Sequence, residues 1–434
     1  MYLFRDAYGF MLDGRFGISS LSYRTFEKTY AVKCERQVHR WASIVPLEKG
    51  ELVIFPPSSE KIKRALRKGL PQSLRPRAWY YYSGAQLRHE QAPRRYVELI
   101  KLASLADNAP LCNQIESDVS HTFANNRTFR LLSVVSPFKT TPSGSLAEEP
   151  SSYAALRRIL LAIAHAYPSV SYASGLNVVA GALLLVTRDE VRSFWIVCCI
   201  LDKLLPENYY TDMNLGCNVD LEVLSALIAW KLPPIHEKLQ YLDISLHMLT
   251  STWFTHLFVD QLPFETLIRV WDCFLHEGSK VLFRVALALF KLNQNAILVI
   301  DDSFELAAYI RNMPCRQLDV IALMDMAFNG IGGLSSSWLA EERTKLLPTW
   351  RAKHAVRRFS RVSPAYCQAP PIQTPSISVN PSTFAPVIIA SSGAVPSPPL
   401  RRALDDAENL FFERPQEIDR CDMSTLTLDD TEDE

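Results

Sequence analysis

Two short stretches of this 434-residue chain carry side chains that could act on a partner's reacting group. In Ile115-Glu116-Ser117-Asp118-Val119-Ser120-His121, the residues Ile115, Asp118 and His121 recur every three positions, which puts them on roughly one side of a helix end. In Tyr172-Ala173-Ser174-Gly175-Leu176-Asn177, a turn joins an amphipathic helix to an apolar one. Gly175 permits a tight backbone approach there, and Asn177 can cap the following helix. The chemistry on offer is modest. An imidazole is mostly neutral at pH 7 unless paired, and Asp118 lies close enough in sequence to His121 to favour its charged form. The Ser174 hydroxyl stays near its own backbone. A third stretch, Leu74 to Trp79, sets Arg75 and Trp79 four apart on one helical face, with Asp272 as an acidic partner either inside the domain or on a binding face.

Other familiar constellations are missing. No G-x-x-x-x-G-K-[ST] run occurs, and Gly330 to Gly333 follows a helix rather than a strand. The three His-Glu dipeptides, at His89, His236 and His276, lack a histidine three residues further on, so none is an H-E-x-x-H zinc site. The nine cysteines form no C-x-x-C pair and read as free thiols. His247 and His256 sit among helical apolar residues and read as satisfied core histidines. No intrinsic hydrolase, metal site or cofactor is expected.

The elements that must position these residues are helical. Apolar periodicity predicts helices over Phe26–Ile44, 60–68, Leu74–Tyr82, Ile115–Phe123, Ala154–Tyr167, Gly175–Val186, Phe194–Leu205, Leu221–Leu232, Trp253–Leu262, Phe264–Leu275, Lys280–Asn293, Phe304–Arg311, Leu318–Asn329 and Ser335–Lys345. Pro233-Pro234 is expected to end one of them, and Pro137–Ser152 to form an exposed loop. Leu52–Phe55 is the one strand candidate, so the fold class is all-α. The helix over 60–68 is basic, with Lys61, Lys63, Arg64, Arg67 and Lys68. That is either a solvated face or a patch for acidic lipid or an acidic partner.

Lys plus Arg equals Asp plus Glu at 46 each, so no net charge draws the chain to nucleic acid or an anionic membrane. The longest apolar run, Val178–Val186, is too short to span a bilayer, and Met1–Asp6 carries an acid and a base before any apolar run. A cytoplasmic protein is expected. The expected organisation is a short N-terminal extension over 1–68, a helical domain over 69–350, and a disordered Pro/Ser-rich then acidic tail over 361–434.

Taken in order, the motifs resemble those of the TBC domain, the GTPase-activating module for Rab-type small GTPases. Leu74-Arg75-x-x-x-Trp79 is similar to its first motif, Ile115-x-x-Asp118-x-x-His121-Thr122-Phe123 to its second, and Tyr172-x-Ser174-Gly175-Leu176-Asn177 to its third. Trp253 to Phe258 and Ile268 to Ala286 extend the likeness, which covers roughly 69–300 and more loosely 1–350. Asp6 to Phe10, with Arg40-Trp41, resembles the growth-hormone-regulated TBC subgroup. The resemblance implies a multi-helix domain that docks on a GTP-bound Rab and completes its site from outside with an arginine and a glutamine. An arginine finger is worth roughly 10³–10⁵ in rate. His121 stands at the arginine position and Ser174 at the glutamine position, and neither reaches as far. Arg127, six residues on, is a substitute cation or an exposed loop residue. Arg75, Ile115, Asp118, Tyr172, Gly175 and Asn177 would form the GTPase-binding motifs. The expected function is Rab binding in vesicle trafficking with little or no activation, and with membrane contact only through the partner. The alternatives are a working activator and a TBC-fold scaffold that binds no Rab.

Overall fold

A computed structural model describes residues 4–12, 16–45, 54–105, 108–138, 151–170, 172–211 and 214–361, with side chains to residue 352. Three parts of the sequence reading therefore lie outside the described residues: the tail beyond 361, most of the 137–152 loop, and Leu52-Val53. Among the described residues no sheet forms. Two isolated bridges, Arg5 with Met11 and Val135 with Asp189, are the only β contacts there.

The chain opens with α1 (Ser20–Ala42), α2 (Glu60–Lys68), α3 (Arg75–Tyr82), α4 (Ala85–Gln91) and α5 (Arg95–Leu105). Next come α6 (Ala109–His121), the short α7 (Arg127–Arg130), α8 (Ser152–Ala166), α9 (Leu176–Thr187) and α10 (Glu190–Cys199), which continues as one π-turn over Ile200–Leu204. The later half holds α11 (Leu215–Lys231), α12 (Pro233–Tyr241), α13 (Leu246–Thr255), α14 (Phe264–Glu277) and α15 (Lys280–Leu292). It closes with α16 (Gln294–Val299), α17 (Ser303–Asn312), α18 (Val320–Asp325) and α19 (Ser336–Arg361). Side-chain oxygens start many of these helices: Ser59 caps α2, Asn108 caps α6, Ser151 caps α8 and Asp189 caps α10.

Three helices carry the centre. α9 and α15 are apolar nearly all round, and with α14, which also buries Glu265, Arg269 and Asp272, they are buried along most of their length. α9 lies against α3, α6, α8 and α10, and α14 lies against α2, α3 and α15. One continuous apolar core runs from Trp41 to Leu339, so α1 and α2 of the first 68 residues pack on the same core as the motif helices.

Several boundaries differ from the sequence reading. Pro233-Pro234 does end α11, but it also starts α12, because proline at the first helical positions loses no hydrogen bond. The stretch expected to be helical over Trp253–Leu262 leaves the helix at Thr255. Leu257, Phe258 and Asp260 have positive φ, and the Trp271 indole donates to the Leu257 carbonyl at 3.0 Å, so tertiary contacts outweigh local periodicity. The last helix runs to Arg361 rather than Lys345, anchored by Arg343, which forks onto buried Asp220 at 2.6 and 3.0 Å.

Beneath α3 lies the polar knot of the fold. Asp272 on α14 is 1% exposed. It accepts from Arg75 Nε at 2.8 Å and Nη2 at 3.1 Å, from Trp79 Nε1 at 2.8 Å, from Arg269 Nη1 at 2.7 Å and from the Leu70 amide at 3.3 Å. Burial opposes the charge of Arg75, but the pull and hydrogen bonds of Asp272 outweigh it and hold the guanidinium above its ordinary pKa. Asp272→Ala would leave two buried guanidinium groups uncompensated, at a cost of about 3–5 kcal/mol. Trp79→Ala should cost about as much by cavity formation. Urea unfolding of both variants checks this; an unmoved midpoint for Asp272→Ala would show that the knot contributes nothing to stability.

Candidate functional site

α6 ends at His121, where the Thr122 amide returns to the Asp118 and Val119 carbonyls. The His121 ring folds back along its own helix, with Nδ1 2.7 Å from the Ser117 carbonyl and 3.1 Å from Ser120 Oγ. A carbonyl only accepts, so Nδ1 carries a proton and Nε2 is the ring nitrogen free to face outward. The side chain is exposed. Asp118 does not pair with it: its carboxylate accepts the Tyr172 hydroxyl at 2.7 Å. Burial, followed by this contact, pushes the Tyr172 phenol well above its ordinary range.

Hydrogen bonds stitch the second motif to the third. The Thr122 hydroxyl donates to the Asp118 carbonyl at 2.7 Å, and the Asn177 amide nitrogen donates to Thr122 Oγ1 at 2.8 Å. The Asn177 amide oxygen accepts the Gly175 N–H at 3.1 Å. Asn177 is thus inside α9 and reaches backward, rather than capping the helix as its position suggested. Gly175 has φ +103°, and a Cβ on it would lie 2.8 Å from the Thr255 carbonyl oxygen, so the turn admits no side chain there. On α9, a Cβ at Gly181 would sit 3.0 Å from the Phe123 ring, so this glycine lets the loop after His121 seat closely. Ser174 stands exposed between Tyr172 and Gly175, with no hydrogen-bond partner among the described residues.

The structure brings His121, Asp118, Tyr172, Gly175 and Asn177 into this one stitched unit with Ser174. It removes Ile115 and Arg75 from the expected docking surface, since Ile115 is fully buried and Arg75 is 4% exposed; Gly175 and Asn177 are buried too and shape the turn from within, which leaves Asp118 and Tyr172 half-buried. Ile115 and Arg75 hold α6 and α14 in place instead. Arg127 lies in α7 and is exposed there, rather than in a loop. The cation overlooked in the sequence is Arg130, one turn later. It lines an open cavity of about 420 Å³ with Glu116, Val119, Ser120, Ala124, Tyr153 and Arg157, directly beside the end of α6. Its signal was the Asn126 cap, which starts a turn on which Arg130 sits three residues after Arg127.

Behind the loop after His121 lies the N-terminal segment. Arg5 donates to the Asn125 carbonyl at 2.8 Å, Asn126 donates to the Tyr8 carbonyl at 3.1 Å, and Phe10 meets Phe123 edge-on at 5.0 Å. Phe123 itself has φ +50°, an uncommon conformation for a bulky residue. Asp6 Oδ1 closes the segment by accepting the Tyr8 and Phe10 amides at 3.0 and 2.8 Å. Glu265 accepts the Tyr23 hydroxyl at 2.6 Å and the Ala7 amide at 3.4 Å. Burial, reinforced by Glu265, pushes Asp6 up to about 8, and burial raises Glu265 as well.

An all-helical domain whose two motif turns adjoin, held by an Arg-Asp-Trp knot, has the fold of a TBC domain. Residues 72–298 match the Rab-GTPase-TBC domain family, and the chain belongs to that family. It is 37% identical to human Growth hormone-regulated TBC protein 1 over 68% of this chain and 79% of that one. It is 36% identical to mouse TBC1 domain family member 2A over 70% of this chain, a match that spans only 30% of the mouse protein. The crystal structure of a Chlamydomonas flagellar RabGAP TBC domain superposes with a TM-score of 0.61 at 29% identity, covering 76% of this chain and all of that one. The Gyp1p Ypt/Rab-GAP domain shares the fold at a TM-score of 0.51 and 18% identity. Among the described residues no group of side chains is arranged to hold a metal, and no helix is long and apolar enough to cross a membrane.

Asp6 and Glu265 hold protons more tightly in the folded chain than in the unfolded one. The contribution of Asp6 is complete below about pH 4 and is lost as pH rises through about 8. Opening of the 4–12 segment should therefore become easier between pH 6 and pH 8, by on the order of 2 kcal/mol. Hydrogen exchange at the Tyr8 and Phe10 amides, corrected for intrinsic rates, measures this. Asp6→Asn should flatten the dependence, and protection that rises with pH would contradict it.

Proposed function

We propose that this chain binds a Rab-type small GTPase in its GTP-bound form through the face formed by the end of α6, the 172–177 turn and α7. It contributes little to hydrolysis there. The observation that carries this reading is the state of the two finger positions. His121 is an imidazole folded onto the Ser117 carbonyl, and Ser174 is a one-carbon hydroxyl, while every residue that shapes their turns is internally satisfied. Phosphoryl transfer leaves a protein only positioning and charge stabilisation to supply, and neither group has the reach of a guanidinium or a long amide. Any membrane contact would come through the GTPase, in keeping with a role in vesicle trafficking.

Arg130 supports a second reading, a residual activator. It places a guanidinium on the cavity next to the end of α6, where a partner's phosphates could meet a forked cation that His121 does not provide.

Single-turnover GTP hydrolysis on a Rab selected by binding distinguishes the two. Wild type should accelerate hydrolysis by less than about tenfold, and His121→Arg with Ser174→Gln together should recover a substantial part of an arginine finger's roughly 10³–10⁵. Each single change should recover less, because charge stabilisation and water positioning act as a unit. Strong wild-type activity lost in Arg130→Ala would establish the second reading. Strong activity lost in His121→Ala would show that the imidazole itself is the finger and overturn the first.

A further inference from the structure

The chain enters α2 through Pro56-Pro57-Ser58-Ser59, and residues 54–59 form neither helix nor strand. Phe55 is buried against the Tyr81 and Tyr82 rings, 5.6 Å from each, and the Tyr82 hydroxyl donates to the Pro56 carbonyl at 3.2 Å. Those contacts lay the stretch on the fold as far as Pro56. The two serines beyond it are exposed and differ in what they do. Ser59 caps α2, its Oγ accepting the Ile62 amide at 3.3 Å. The Ser58 hydroxyl caps nothing and lies 2.8 Å from Nε2 of His276, near the end of α14.

His276 stands among cations. Its ring meets the Tyr82 ring edge-on at 5.6 Å, and a Cβ on Gly84, two residues after Tyr82, would lie 3.3 Å from Lys203 Nζ. The Ser279 amide donates to the Leu204 carbonyl at 2.9 Å, which brings the π-turn carrying Lys203 against the residues just after His276. Burial, against the pull of Glu277, and then the fields of Lys63, Lys203 and Arg67 hold His276 below its ordinary pKa. Burial and neighbouring cations, against the same pull, lower Lys280 on α15 as well. Few acids answer this charge. Glu277 is taken up by Arg67, with two bonds of 2.7 and 2.6 Å. Lys63 pairs with Glu60 one turn back, a carboxylate 69% exposed and readily exchanged for a better anion. Lys203 and Lys280 have no carboxylate within ion-pairing distance among the described residues.

We propose that Ser58 is a phosphorylation site whose phosphate is received by His276, Lys63 and Lys203, stapling the 54–59 stretch to the end of α14. The prolines ahead of Ser58 bias its approach toward an extended path, which a kinase cleft can take up without unwinding a helix. A protein kinase using magnesium ATP would form the Oγ–P bond and break the bond from the γ-phosphorus to its bridging oxygen. ADP leaves, and the hydroxyl proton passes to the base of the kinase. Three acceptor oxygens and nearly two negative charges then replace one hydroxyl. The imidazole takes up a proton and donates Nε2–H, and the two ammonium groups add charge-assisted bonds. None of these residues belongs to the face carrying His121 and Ser174, so the modification does not depend on the GTPase.

Two measurements test this. Incubation of the full chain with a eukaryotic cell extract, magnesium ATP and phosphatase inhibitors should place phosphate on Ser58, read by tandem mass spectrometry. Phosphate absent from Ser58, or no more abundant there than on Ser59, overturns the proposal. The receiving groups are tested on the full chain with phosphoserine installed at position 58 by codon suppression. The His276 ring protons should titrate about 1 pH unit higher than in the unmodified chain, and the phosphorus signal below its ordinary midpoint of about 6. Lys63→Gln with Lys203→Gln should return the phosphorus midpoint toward about 6. Arg94→Gln with Lys101→Gln, exposed positions on and beside α5, removes the same charge and should not. An unmoved His276, or a phosphorus midpoint that responds equally to both double variants, overturns the proposal as well.

Discussion

One carboxylate, Asp272, organises the fold. It sits in a nearly dry interior and collects five donors from three parts of the chain: Arg75 twice, Trp79, Arg269 and the Leu70 amide. A lone buried carboxylate would be driven to its neutral form, and a lone buried guanidinium would be costly to desolvate. Together they fix the angle between α3 and α14 and close the chain at Gly69-Leu70. Apolar packing alone tolerates small slides of one helix on another, whereas a forked ion pair with a further indole donor does not. The same Arg269 reaches the carbonyls ending α2, so the knot also fixes the basic helix.

At the opposite end of α3's neighbours, a second polar chain links the two motif turns without any ion pair. Tyr172 takes Asp118, Thr122 takes the carbonyl of Asp118, and Asn177 joins Thr122 to Gly175. Low exposure strengthens these bonds, and each member uses most of its capacity on its neighbours. Little of that chemistry is left to face a partner. His121, Ser174 and the nearby Arg130 are among the exposed side chains here, and these can differ without disturbing the turns.

The all-helical class and the motif helices were readable because their information is local. α9 announces itself by an unbroken apolar run, α15 by a run broken only at Arg284, and α2 by its row of basic residues. The pairing of Arg75 with Asp272 was posed by the sequence but could not be decided there, since 197 residues separate the partners. The loop after Thr255 was misread because its left-handed residues are non-glycine and are set by contacts with Trp271, which leave no mark on local periodicity. The seating of residues 4–12 behind the loop after His121 was equally hidden. It depends on Arg5, Ala7 and Phe10 finding Asn125, Glu265 and Phe123, and no spacing rule links such distant positions.

The turn at Gly175 has a consequence for how this surface can change over time. Its path is dictated on one side by the Tyr172 hydroxyl and on the other by a glycine with no room for a methyl group, so residue 174 lies on a rigid bend that it does not help to hold. Replacing the side chain there alters what the surface can do while leaving folding free energy nearly untouched. Selection for a stable, well-expressed protein is therefore blind to this position, and to His121 at the exposed end of α6. Such an architecture allows the chemistry of this surface to change by single steps through variants that all fold equally well.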